Sequence, residues 1–339
     1  MDKINIYVPR DVGAILENDA IQFEVLKKDG YTVNKNKFLR LLIQGYYDSY
    51  IEESHKMYDS IYVILKQEGL SREQCNILSN SILKSVCLPE IPTRKGKNPV
   101  KLSLKPTKEI EPLINQIMLD LGTNDYVSQF FCRMFMNYCE KPFSEREHII
   151  FKENYNFISQ ACNKNHTIRF TTIWNPSVVH EVIPYKLAIS KEAMFTYLLC
   201  GEKNKYTGVL EAKSYRLNRL TGLGYGKNNE LLSEEVEKYL NKMILCGPQF
   251  AINDNEISCV KLTEEGRIYF NRIYYGRPKP DKILKVEDGW LFYFDCSKEQ
   301  LYQYFKRFEK NRADVIEPQS LKLRIKYFHE EALTNKGDK

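Results

Sequence analysis

Residues 212–226 read AKSYRLNRLTGLGYG, a run that sets Arg216 and Arg219 among aliphatic and aromatic neighbours. Leaving a guanidinium unpaired in an apolar strand costs several kcal/mol, so each arginine needs an anion to hold. In an extended chain Ser214, Arg216 and Asn218 point one way, and Tyr215, Leu217 and Arg219 the other. A bend after Leu217 would bring both arginines to one rim. Two anions suit them: a carboxylate of the fold, with Glu181 on a neighbouring strand as the candidate for Arg216, or the phosphate of a ligand.

Outward from this run the period is two. TIRFTTIW (167–174), HEVIPYKLAI (180–189), AMFTYLLCG (193–201) and AKSYRLNRL (212–220) read as four short strands separated by turns. That spacing predicts a small antiparallel barrel or sheet. Downstream, SEEVEKYLNKMILCG reads as a helix. The order then runs strand (ISCVKLT), helix, a hairpin DKILKVEDGWLFYFDC turning at Asp288-Gly289, helix SKEQLYQYFKRF, strand ADVIEP and a last helix. This βαββαβ order predicts a ferredoxin-like domain. The apolar strand GWLFYFDC needs a covering surface, which points to a homodimer.

Upstream, KINIYVP alternates Ile4, Ile6 and Val8 against Lys3, Asn5 and Tyr7, as a half-buried strand does. A helix to about Lys28, the breaker KDGYTVN and a second helix with Phe38, Leu41, Leu42 and Tyr46 on one stripe follow. Strand, helix, turn, helix is the order of a ribbon-helix-helix unit. It returns near residue 100: VKLSLKP alternates, EIEPLINQIMLDL is a helix stopped by Gly122, and YVSQFFCRMFMNYCEK is a second. A tandem copy can pair its two strands antiparallel, within one chain or between two. A capping box at Ser71–Gln74 opens a helix between the copies, and SERE at Ser144 predicts another running towards Asn163. The segments read as 1–142 with a basic linker over 92–108, a connecting helix 143–165, a sheet domain 166–228, a C-terminal domain 229–333 and a tail 334–339.

The 339 residues are 43% hydrophobic, with 23 Tyr and 17 Phe, which indicates a folded chain of α+β class. The formal net charge of +6 leans towards an anionic partner. The start carries charges where a signal peptide needs an apolar run, and nothing approaches a membrane span, so a cytoplasmic protein is expected. Nine cysteines contain no Cys-x-x-Cys pair, which argues against a zinc site and a disulfide framework. No phosphate loop, dinucleotide fingerprint, HExxH or nucleophile elbow occurs, and neither metal nor cofactor is expected. His180-Glu181 reads as a surface pair on a strand. Arg324 and His329 fit the Arg-x4-His spacing of one ribonuclease class, but five residues apart on a helix they face differently. No catalytic residue is expected.

The strands VIPYKL (182–187), TYLLCG (196–201) and SYRLNRL (214–220) resemble, in order, three strands of the WYL domain. The family's tryptophan position is Thr196 here, followed by Tyr197 and Leu198. The segment from Val260 to Ala332 resembles the extension found after WYL domains. The resemblance implies an Sm-like β-barrel that senses a ligand or nucleic acid. With a ribbon-helix-helix region in front, the chain resembles the accessory proteins encoded beside type VI-D CRISPR RNA-guided ribonucleases. That implies binding of single-stranded RNA and stimulation of the effector.

Between Gln160 and Tyr225 nine Lys/Arg face four Glu, and Tyr185, Tyr197, Tyr215 and Trp174 are interleaved among them. Guanidinium forks suit phosphates and aromatic faces suit unstacked bases. With the resemblance, the expected RNA site is Arg169, Tyr185, Arg216 and Arg219, with Tyr197 as a stacking platform. The alternative is a ribbon-helix-helix transcription regulator that reads duplex DNA, its WYL domain sensing a small anionic or nucleic-acid ligand. Its ribbon would turn Lys3, Asn5, Tyr7, Lys101, Ser103 and Lys105 towards the major groove. In it Lys3, Asn5 and Lys101 are the candidate contacts.

Overall fold

Ile4–Val8 forms strand β1 and Val100–Leu104 forms β2, paired antiparallel within the one chain. The register sets Ile4 against Leu104, Ile6 against Leu102 and Val8 against Val100, so the apolar sets of both strands share one face. The computed structural model describes residues 3–83, 99–121, 127–227, 230–309 and 311–334. The first part of the expected basic linker, 92–98, and the helix stop at Gly122 lie outside these residues. The described part divides into two compact units, 1–153 and 154–339.

In the first unit helices α1 (Arg10–Gln22), α2 (Lys35–Gln67), α3 (Arg72–Ile82), α4 (Glu111–Leu121), α5 (Val127–Glu140) and α6 (Phe143–Ile150) accompany the ribbon. α5 lies against β1, and Phe38, Tyr46 and Tyr138 meet edge-on at 6.3–6.5 Å. Asn36 fastens the end of β2 to the start of α2: its side chain donates to the Lys105 carbonyl (3.1 Å) and accepts from the Lys105 amide (2.7 Å). The capping box at Ser71 is formed, with Ser71 and Gln74 bonding reciprocally. The one expected at Ser144 is not. That helix begins at Phe143 behind Pro142, which leaves Ser144 inside the first turn, and it breaks at Phe151 before α7 (Lys152–Lys164).

The second unit opens in α7 and holds two antiparallel sheets. Five strands, not four, build the first: β3 (Ile168–Thr172), β4 (Asn175–Ile189), β5 (Thr196–Lys203), β6 (Leu210–Arg216) and β7 (Leu220–Tyr225), in the order β6-β5-β4-β3-β7. The chain bends through a 3-10 turn at Leu217–Arg219. Thus LTGLGY is a strand of its own, hydrogen-bonded to β3. α8 (Glu234–Cys246) covers one face, where Val236, Leu240 and Met243 pack with Leu199 and Ala212.

The second sheet contains β8 (Ser258–Leu262), β9 (Lys282–Val286), β10 (Gly289–Phe294) and β11 (Ala313–Glu317) in the order β11-β8-β10-β9. β8 and β9, joined through α9 (Glu264–Arg272), are split by β10. α10 (Lys298–Phe305) joins β10 to β11, and α11 (Gln319–Thr334) ends the described chain. Phe292 and Phe294, from the strand expected to need a partner, are covered within the chain by Leu301, Tyr304 and Phe305. The eight described cysteines are all free. Among the described residues no helix is long and apolar enough to cross a membrane.

Candidate nucleic-acid interface

Register decides what Arg216 can reach. It stands opposite Tyr197 on β5, and Tyr197 stands opposite Ala188 on β4. Glu181 is far along β4 from that point and is paired in register with Arg169 of β3 instead. The register therefore does not bring Arg216 to Glu181, the carboxylate that the sequence offered as the alternative to a ligand phosphate. Arg216 rests over the buried ring of Phe195, its guanidinium carbon 3.2 Å from the centroid, a cation–π contact. Arg219 sits in the 3-10 turn, where its carbonyl accepts from the Ile173 amide (3.0 Å).

The remaining expected residues are spread over the sheet. Tyr185 falls at the irregularity between Pro184 and Lys186, packs against the α8 cluster, and its hydroxyl donates to Asn241 (2.9 Å). Tyr197 is half-buried and lines a cavity of about 240 Å³ with Gln249, Tyr275, Gln300 and Arg307. Arg169 is exposed on β3. The structure therefore brings Tyr197 and Arg216 together across one strand pair and leaves Arg169 at the far side of the sheet.

His180 does not pair with its neighbour Glu181. Adjacent residues of a strand point to opposite faces, and His180 turns inward to Glu202 of β5 (Nδ1 to Oε1, 2.8 Å). The Tyr215 hydroxyl hydrogen-bonds to Glu202 and lies 3.0 Å from the His180 Nδ1. Phe170 stacks on His180 at 5.5 Å and meets Tyr215 edge-on at 5.0 Å. Burial first, and the Glu202 carboxylate second, push the Tyr215 hydroxyl far above its ordinary value of 10.0. This inward cluster ties β3, β4, β5 and β6 together.

In the first unit the ribbon presents Asn5 opposite Ser103 and Tyr7 opposite Lys101 on its outward face. Ser103 donates to Asn5 across the strands (3.2 Å). Lys3 and Lys101 are exposed. Arg324 is held by the Glu299 carboxylate (2.6 Å) and lies 3.8 Å from the Tyr302 ring centroid, pinning α11 to α10. His329 stands against the Phe328 ring. Among the described residues no group of three or more His, Cys, Asp or Glu converges as a metal site.

Sequence reasoning did not find Gln249, Gln300, Tyr275 or Arg307 beside Tyr197. They lie 52 or more positions downstream of Tyr197: Gln249 after α8, Tyr275 after α9, Gln300 on α10 and Arg307 just past its end. One signal was available: between Arg267 and Val286 the cations Arg267, Arg272, Arg277, Lys279, Lys282 and Lys285 stand against Asp281 alone.

No protein-family model matches the chain, and no curated protein matches it. The fold is similar to that of a solved structure described as "a CRISPR Cas-related protein", at 20% identity and a TM-score of 0.68. That likeness covers 100% of this chain and 95% of the other. A second solved structure, proteasome accessory factor B/C of Arthrobacter aurescens, aligns at 14% identity and a TM-score of 0.25, over 70% of this chain and 37% of that one.

Proposed function

We propose that the protein is a non-enzymatic, cytoplasmic accessory of a CRISPR system, binding single-stranded RNA and raising the activity of a type VI-D effector ribonuclease. The observation that carries this reading is the likeness, along the whole chain, to a solved protein described as CRISPR Cas-related. In this reading the paired strands β1 and β2 with their helices are a tandem ribbon-helix-helix region. The five-stranded sheet is an Sm-like WYL domain, and the last four strands are a ferredoxin-like domain. RNA bases would stack on Tyr197, and its phosphates would meet Arg169, Arg216 and Arg219. A homodimer would use the sheet face bearing Leu284, which is exposed, with Leu291 and Tyr293, which are half-buried.

A second reading has support of its own. The outward ribbon face with Lys3, Asn5 and Lys101 suits the major groove of duplex DNA, as a regulator would need. One experiment separates the two. Labelled single-stranded RNA and duplex DNA of the same sequence are titrated at two salt concentrations against wild type, Arg216→Ala/Arg219→Ala and Asn5→Ala/Lys101→Ala. The RNA reading expects the arginine pair to weaken RNA binding at least about tenfold, from lost phosphate contacts. DNA binding that depends on Asn5 and Lys101, without tight RNA binding, would replace it with the regulator.

A further inference from the structure

We propose that the loop between α9 and β9, residues 274–280, carries single-stranded nucleic acid beyond the five-stranded sheet. This extends the RNA-binding reading given above and rests on it.

Two cavities flank this loop. On one side lies the 240 Å³ cavity already described, which Tyr275 and Gly276 share with Tyr197 and Arg307. On the other lies a groove of about 480 Å³, lined by Arg267, Arg277, Lys279, Ile283 and Trp290 among others. Tyr275 and Gly276 of the loop line the first and Arg277 to Pro280 the second, so consecutive loop residues serve both walls.

Charge and shape along this path suit a polyanion with flat bases. Arg277, Lys279 and Lys285 enter no ion pair among the described residues, and all three are exposed. Asp281, the sole carboxylate of the stretch, accepts the Asp295 amide (2.6 Å). In the smaller cavity Glu192 accepts the Gly276 amide (2.7 Å), which ties the loop to the turn between β4 and β5. Tyr274 and Tyr275 are 76% and 54% exposed, so their ring faces are open to a stacking base. Pro278 and Pro280 bracket Lys279 and restrict the chain, so its charge is displayed with little ordering left to do.

The cavity also offers a way to read a base. Gln300 is 5% exposed and its Oε1 accepts no hydrogen bond; Oε1 of Gln249 is likewise buried without a donor. A nucleobase edge carries N–H donors and acceptors that side-chain amides can meet, whereas a free phosphate offers acceptors only. An acidic peptide would answer the cations and its backbone could meet the amides, but without flat bases it would leave the tyrosine faces unused. Single-stranded nucleic acid uses all three.

The test is fluorescence anisotropy with labelled 20-nucleotide poly(U) RNA and its deoxy counterpart, at several salt concentrations. It compares wild type with Arg277→Ala/Lys279→Ala, and with Tyr275→Ala. We expect the cation pair to lose affinity about tenfold. The salt slope should fall by about 1.4, since each phosphate contact on a single strand contributes about 0.7. Tyr275→Ala should lose about fivefold or more with the salt slope unchanged, because stacking releases no counterion. Removing two charges elsewhere, at Lys27 and Lys28, should leave binding within about twofold by the same counting. Equal losses there would mean bulk attraction and would overturn the track. So would a cation-pair variant with wild-type affinity and slope, and in that case the RNA reading stands. A wild type that binds neither probe removes the RNA reading itself. Loss with RNA and DNA alike supports a track that follows backbone and base faces; loss with RNA alone adds contacts to the 2′-hydroxyl. All three substituted side chains are exposed, and an unchanged melting temperature distinguishes a lost contact from a lost fold.

Discussion

Asp19 is fully buried on α1, and the fold meets its charge with Arg146 of α6 (Nε to Oδ2, 2.8 Å) and the Tyr138 hydroxyl (2.9 Å). Burial nonetheless raises its carboxyl above the ordinary value, outweighing the arginine. Removing the cation strands the anion, so Arg146→Ala should cost about 3–5 kcal/mol, read from the shift in urea midpoint. Tyr46, Tyr138 and Tyr215 share a different consequence of burial. Their folded-state hydroxyls titrate above the unfolded value near 10.0. The fold keeps protons that the unfolded chain releases, so this stabilisation is complete below about pH 10 and is lost as pH rises beyond it. Urea midpoints should therefore fall between about pH 9 and about pH 11, by an amount equivalent to about 1 kcal/mol or more. Burial also pushes the Cys139 thiol up to about 12. Iodoacetamide at about pH 8 should leave Cys139 unmodified in the native protein and label it after unfolding, which mass spectrometry reads directly. Little of this was legible in the sequence. Asp19 meets Arg146, and His180 meets Glu202, only because helix packing and strand register carry them there; their spacing signals nothing.

Elements were more legible where their signals are local. Alternation located β1 and β2, and the box at Ser71–Gln74 forms as its residues imply. The matching letters at Ser144 fail because Pro142 supplies a preset backbone angle and starts the helix ahead of them. The run to Leu220 hides two strands, since the turn at Leu217–Arg219 contains neither glycine nor proline to mark it. Contacts between elements leave subtler traces. Gly45 on α2 lies where a Cβ would collide with the Ile149 carbonyl oxygen of α6. Gly45→Ala should force the two helices apart at a cost of about 1–3 kcal/mol, seen as a lower melting temperature. In β10, Gly289 has φ 143 and a Cβ there would strike the Leu262 carbonyl, so Gly289→Ala should unsettle the hairpin by a similar amount.

At the scale of the molecule, the two units each hold their own buried apolar residues. Calorimetry should resolve two transitions, with Gly45→Ala lowering one and Gly289→Ala the other. If the sheet arginines and the 274–280 loop hold phosphates as proposed, nucleic-acid affinity should fall steeply with salt, which titration at several salt concentrations reads. The five residues expected to form one RNA site illustrate what a sequence conveys at this scale. Tyr197 and Arg216 do meet across a strand pair, whereas Arg169 lies across the sheet beside Glu181.

Hydrophobic period, turn residues and capping pairs act over a few positions, and they were enough to determine the mixed α and β composition, the order of most elements and the cation-rich stretches. Which charged group faces which was decided only by tertiary structure. Pairing across strands and packing between helices depend on the register and approach of segments distant in sequence. The partners of Arg216, His180 and Tyr197 follow from that geometry, not from the residues beside them.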